Sequence, residues 1–106
     1  MKTNPEKDLE LHDKINRETG RIKWSELERH FASGSVIWVS EALDLIDVAL
    51  RIAHDDKESI TQWMSAGTVA KVSDVQAQTW AASDETLWAS VVSPFVLVQT
   101  EKKQLH

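Results

Sequence analysis

Residues 41–54, EALDLIDVALRIAH, constrain the fold more than any other stretch. Read as a helix at 100° per residue, Asp44, Asp47, Arg51 and His54 fall in one stripe about a quarter-turn wide, with Asp55 just beyond. Leu43, Leu45, Ile46, Val48, Ala49, Leu50, Ile52 and Ala53 cover the rest of the surface. Such a helix needs apolar partners on nearly every side. It is predicted to be the most buried helix, meeting water or a partner along one narrow acidic seam. The chain has 106 residues, enough for one domain that hides about two-thirds of its unfolded surface.

Turn chemistry divides the remainder. Asn4-Pro5 starts a first helix, with Asn4 as cap and Pro5 at the first helical position; it is expected to run to Thr19 and end at Gly20. Ser25 and Glu28 have the spacing of a capping box, and Trp24, Leu27 and Phe31 share one helical face. Gly34 closes that helix, and Val36–Val39 reads as a strand covered on both faces. Asp55 or Asp56 caps the next helix, whose inner face is Ile60, Trp63 and Met64, and Gly67 ends it. Thr68–Val72 suggests a second strand, and Ser73-x-x-Gln76 opens a helix bearing Ala77 and Trp80. Leu87–Val92 is ambiguous between helix and strand. After Ser93-Pro94, Phe95–Val98 reads as a central strand. The expected architecture is a single α+β domain of about five helices on a small sheet of three or four short strands. Its divisions are an N-terminal surface helix over 1–20, a core over 21–99 and a polar tail over 100–106.

Composition narrows the function. Twelve basic and seventeen acidic residues give a net charge of −5. Residues 41–58 alone carry six acids against Arg51 and Lys57, a local −4, so the chain repels a phosphate backbone and no nucleic acid is expected as a partner. No cysteine is present, which excludes disulfides, thiolate catalysis and cysteine-ligated metals. The charged start MKTNPEKDLELHDK contains no apolar stretch of the secretory kind, and no apolar run approaches the ~20 residues of a membrane span. The expected setting is cytoplasmic, without a membrane partner. The three glycines, at positions 20, 34 and 67, are all assigned to helix ends, which leaves none for a phosphate-cradling loop.

Two candidate sites emerge. In the first, the seam of Asp44, Asp47, Arg51 and His54 is a binding surface; the competing account is a solvated helix face with Asp47 and Arg51 paired at i, i+4. In the second, His54, Asp55 and Asp56, with Glu58 nearby, have the ligand types for a divalent cation; the competing account is that these residues cap and complement two helix ends. No cofactor is predicted, and a divalent metal enters only with the second site. Ten serines include no nucleophile elbow, and Ser25, Ser40 and Ser73 read as caps. Five tryptophans (Trp24, Trp38, Trp63, Trp80, Trp88) without a tyrosine suggest core packing plus an aromatic remainder covered in a homo-oligomer.

The stretches RIKWSELERHFASGSVIWV (21–39), LDLIDVALRIAHDD (43–56) and VVSPFVLVQ (91–99) resemble a small bacterial family catalogued only as a domain of unknown function. The resemblance implies a bacterial, cytosolic, stand-alone protein and carries no activity or catalytic residue. From the residues, the first reading is a non-enzymatic interaction or regulatory module that self-associates, with the acidic seam as its contact surface. The second is a small metal- or ligand-binding protein, with an enzyme as one form of it. Its site would be His54, Asp55 and Asp56, or a tryptophan-lined pocket closed by Asp47 and Arg51.

Overall fold

The computed structural model describes residues 5–101. In chain order its elements are α1 (Pro5–Arg17), β1 (Thr19–Lys23), α2 (Trp24–Ala32), β2 (Val36–Val39), α3 (Leu45–Ala53), α4 (Lys57–Ser65), β3 (Val69–Lys71), α5 (Asp74–Ser83), β4 (Thr86–Val92) and β5 (Phe95–Thr100). The strands form one mixed sheet in the order β1-β4-β5-β2-β3, with β2 parallel to β5 and every other pair antiparallel. The fold is therefore α+β, as expected, but the sheet has five strands rather than three or four.

Helices cover both faces of the sheet. Under α2 and α5, Trp24, Leu27 and Trp80 pack on Leu87, Val96 and Val98. Trp24 lies at the centre, its ring 5.5 Å from Phe31 and 5.4 Å from Trp80 in tilted geometry. On the opposite face, Leu45, Val48 and Ala49 of α3 pack with Ile15, Val39, Val69 and Leu97. Alternation along β5 sends Val96 and Val98 to the first core and Leu97 to the second. The continuous apolar run 96–98 thus meets water on neither face, and the sheet order places its strand third of five.

The additional strand is β1. Thr19 and Gly20 were expected to end the first helix, but α1 stops at Arg17 and Gly20 pairs with Ala89 inside the sheet. Positive φ angles confirm Gly34 (77°) and Gly67 (75°) as helix terminators, and Gly20 is not among the positive-φ glycines. The boundary expected between residues 20 and 21 therefore falls inside β1. Only Ile22 marks this edge strand as apolar, so its sequence carries little periodic signal. Ile15, meanwhile, carries α1 into the second core. The ambiguous stretch 87–92 is strand β4. The expected cap Asn4 and residues 102–106 of the polar tail lie outside the described residues; Thr100 belongs to β5.

Caps also differ in detail. The Ser73–Gln76 capping box forms, with both reciprocal bonds present. The Ser25–Glu28 box does not. Helix α2 begins at Trp24, and the carboxylate of distant Asp84 accepts the Ser25 N–H at 3.0 Å. Asp84 itself terminates α5 in a left-handed conformation, so one residue closes one helix and caps another. Helix α3 begins at Leu45 rather than near residue 41, because Asp44 is its cap and Ser40 Oγ accepts the Ala42 N–H in the preceding turn.

Leu97 is fully buried on the middle strand, whereas Val75 is 72% exposed on α5. Leu97→Ala is expected to cost about 2–5 kcal/mol by leaving a cavity, and Val75→Ala less than about 0.5 kcal/mol. Urea unfolding measures both; equal midpoints for the two variants would contradict the core assignment.

Candidate functional site

The seam residues do not converge on one cavity. Along the exposed side of α3, Arg51 Nε lies 3.8 Å from Asp47 Oδ1, and its Nη1 lies 3.3 Å from Asp56 Oδ2. Asp47 and Arg51 are each more than half exposed, so their pair contributes at most about 0.2–1 kcal/mol. His54 is the C-cap of α3, and Asp55 turns the chain at a φ of 54°. Asp56 caps α4: it accepts the Ser59 N–H at 3.2 Å and the Ser59 hydroxyl at 2.8 Å. Among the described residues no group of three or more His, Asp or Glu side chains is placed to hold a metal ion.

Asp44 lies at the other end of α3. It lines an open cleft of about 910 Å³ on the α1/α3 side of the sheet. Thr19, Arg21 and Trp88, which β1 and β4 present on this face, form the floor together with Gln99 of β5. Asn16 of α1, the turn 42–44 and the first residues of α3 form the walls. Asp47 and Arg51 do not line it, so the cleft is not the pocket expected between tryptophans and that pair.

Each floor residue has a structural reason for its pose. Trp88 alternates with Leu87 and Ala89 of the first core, so its ring must lie on the opposite face, where it stays about one-third exposed. Opposite it in the register is Arg21, whose guanidinium sits 5.3 Å from the indole centroid. Arg21 Nε is in turn 2.7 Å from Glu101 Oε1. Gln99 donates both amide hydrogens, to the Ser40 carbonyl at 2.8 Å and the Leu43 carbonyl at 2.7 Å. These bonds suspend the wall turn above the sheet. Thr100 donates to Glu41 at 2.6 Å, bringing another carboxylate beside the cleft. At the inner end Thr19 Oγ1 lies 2.9 Å from Oγ of fully buried Ser90.

The wall at α3 has its own electrostatics. Asp44 Oδ1 accepts the N–H groups of Ile46 (2.9 Å) and Asp47 (3.3 Å), so the positive end of the helix dipole is already matched by a carboxylate. Of the candidate site residues drawn from the sequence, Asp44 alone lines this cleft. Trp88 stands there only as one of five tryptophans, and Arg21 and Gln99 are not among the candidates. The parity of Leu87-Trp88-Ala89 would have exposed Trp88 had 87–92 been read as a strand. Nothing in the one-dimensional pattern marks Gln99 beyond its place at the end of an apolar run.

At the far end of α3, the Ser59 N–H and then the Ser59 hydroxyl, with help from Arg51, hold the Asp56 pKa below its usual 3.8. The folded chain then binds fewer protons than the unfolded chain. This stabilisation is complete above pH 3.8 and is lost as pH falls through the lowered value. Asp56→Asn keeps a capping oxygen without titrating, and it should flatten the acid limb of the pH–stability curve. Urea midpoints measured from about pH 2 to 5 test this; parallel curves for the two proteins would refute it.

Similarity to known proteins agrees with this architecture. The NMR solution structure of PA1075 from Pseudomonas aeruginosa is 43% identical, the match covers 91% of each chain, and the TM-score is 0.78. No curated protein matches the chain. Residues 10–100 match the family described as "Protein of unknown function (DUF2288)", a span that includes all the strands described above, and the chain belongs to that family.

Proposed function

We propose that the chain is a non-catalytic binding module that works through the cleft between α1, the start of α3 and the β1/β4/β5 floor. The observation that carries this reading is the cleft itself. Its volume of about 910 Å³ falls within the range of small-ligand sites, ~300–1,000 Å³, and it pairs an exposed tryptophan with a few fixed polar groups. The acidic seam enters at one end only, through Asp44. Of the other seam residues, Asp47 and Arg51 pair with each other in water, and Arg51 also pairs with Asp56, the cap of α4.

Self-association belongs to the same proposal. Val91 and Phe95 remain 51% and 37% exposed beside the β4–β5 turn, on opposite faces of the sheet, and a second copy seated on either face at this end would cover one of them. A bacterial, cytoplasmic setting is also part of it, supported by the Pseudomonas relative and the cysteine-free composition. The net charge of −5 argues against a nucleic-acid partner.

Two measurements test the proposal. A fragment set screened by NMR should shift the signals of Trp88, Gln99 and residues 42–46, and Ala42→Trp, which fills the cleft from its wall, should abolish those shifts. Shifts confined to Asp47–Asp56 would move the contact surface to the seam, and no shifts at the cleft would remove the reading. Sedimentation at micromolar concentration should give more than one chain mass, and a mass of 12.0 kDa would discard self-association.

A further inference from the structure

Resting on that binding reading, we propose that the ligand of the cleft is an organic cation, a primary ammonium carried on an apolar stem. Gln99 is 7% exposed, and its amide nitrogen spends both hydrogens on the Ser40 and Leu43 carbonyls. Those two acceptors also settle which end of the amide is oxygen. No described residue donates to Gln99 Oε1, and among the described residues no buried side-chain nitrogen or oxygen lacks a partner. Oε1 therefore opens to solvent where Gln99 lines the cleft, a nearly buried acceptor held ready for a donor.

The surrounding charges select the donor. Asp44 and Glu101 against Arg21 leave the lining at −1, and Glu41, bonded to Thr100, adds a further negative charge beside it. Arg21 gives its Nε to Glu101, and Asp44 takes the second and third N–H groups of α3, those of Ile46 and Asp47. An incoming anion thus meets a carboxylate beside each of its natural partners. An ammonium finds the free oxygen of Asp44 and Gln99 Oε1, while Ala42, Leu43, Ile46 and the Trp88 ring receive its carbon stem. Trp88 already holds one cation over its ring. The same chemistry is offered by a free polyamine and by a lysine side chain of a peptide.

The experiment is an NMR titration of the full chain, following the Trp88 Nε1–H and the Gln99 side-chain amide. Butylammonium is compared with 1-butanol and butyrate, and 1,4-diaminobutane with Nα-acetyl-lysine methylamide. Butylammonium should bind best of the first three and weaken as salt is raised. Asp44→Asn, which preserves the cap, should weaken it about two- to fivefold and leave butanol unchanged. Tighter binding of the lysine amide assigns the cation to a peptide, and tighter binding of the diamine assigns it to a polyamine. Butanol or butyrate shifting the same signals as strongly as the ammonium would overturn the cation and leave the cleft standing. Shifts by none of the probes would overturn both.

Discussion

Residues 96–98 of β5 have water on neither face, and most of the architecture answers that requirement. Burying Val96 and Val98 on one side takes α2 and α5; burying Leu97 on the other takes α3, with α1 and α4 beside it. A chain of 106 residues cannot spread five helices over one surface and still close two cores. Short helices of nine to thirteen residues, stopped by caps, are what fit. The tryptophans follow the same economy. Trp24 and Trp80 fill one core with two large rings, so few other residues are needed there.

The cleft is a by-product of uneven cover. Helices shield the second face over Leu97 and Val39, but the cover thins toward β1 and β4, where Trp88 and Arg21 occupy the floor. Between α1 and α3 the turn 42–44 borders that region, held by the two donations from Gln99. Its position is therefore set by side-chain-to-backbone bonds reaching across 59 and 56 residues of sequence. Binding surfaces are commonly built this way, from irregular chain on a rigid sheet.

How much of this was legible in sequence depended on periodicity. Strands β2 and β5 and helix α3 announce themselves because apolar spacing reports burial, and the Ser73–Gln76 box because its residues are adjacent. Strand β1 did not, since an edge strand with one inward aliphatic leaves no pattern, and Gly20 beside a helix end mimics a terminator. Asp84 capping α2 was invisible because the partners lie 59 positions apart. The cleft was illegible for the same reason. His54, Asp55 and Asp56 are neighbours in sequence, and adjacency at a helix–helix junction serves capping. Arg21, Trp88 and Gln99 meet only through strand register, which no local window contains.

The sheet order also dictates a sequence of events during folding. Among the described residues, strand β1 bonds only to β4, and β3 only to β2; β5 alone joins those two halves, yet it follows the other four in sequence. Until residues 95–100 are in place, β2 lacks its parallel neighbour and each core lacks its central side chains. Such non-local closure slows folding and favours assembly in one cooperative step. The protein is thus built around a keystone delivered late: a growing chain can form its helices and its two outer strand pairs, but no partial sheet resembling the finished one.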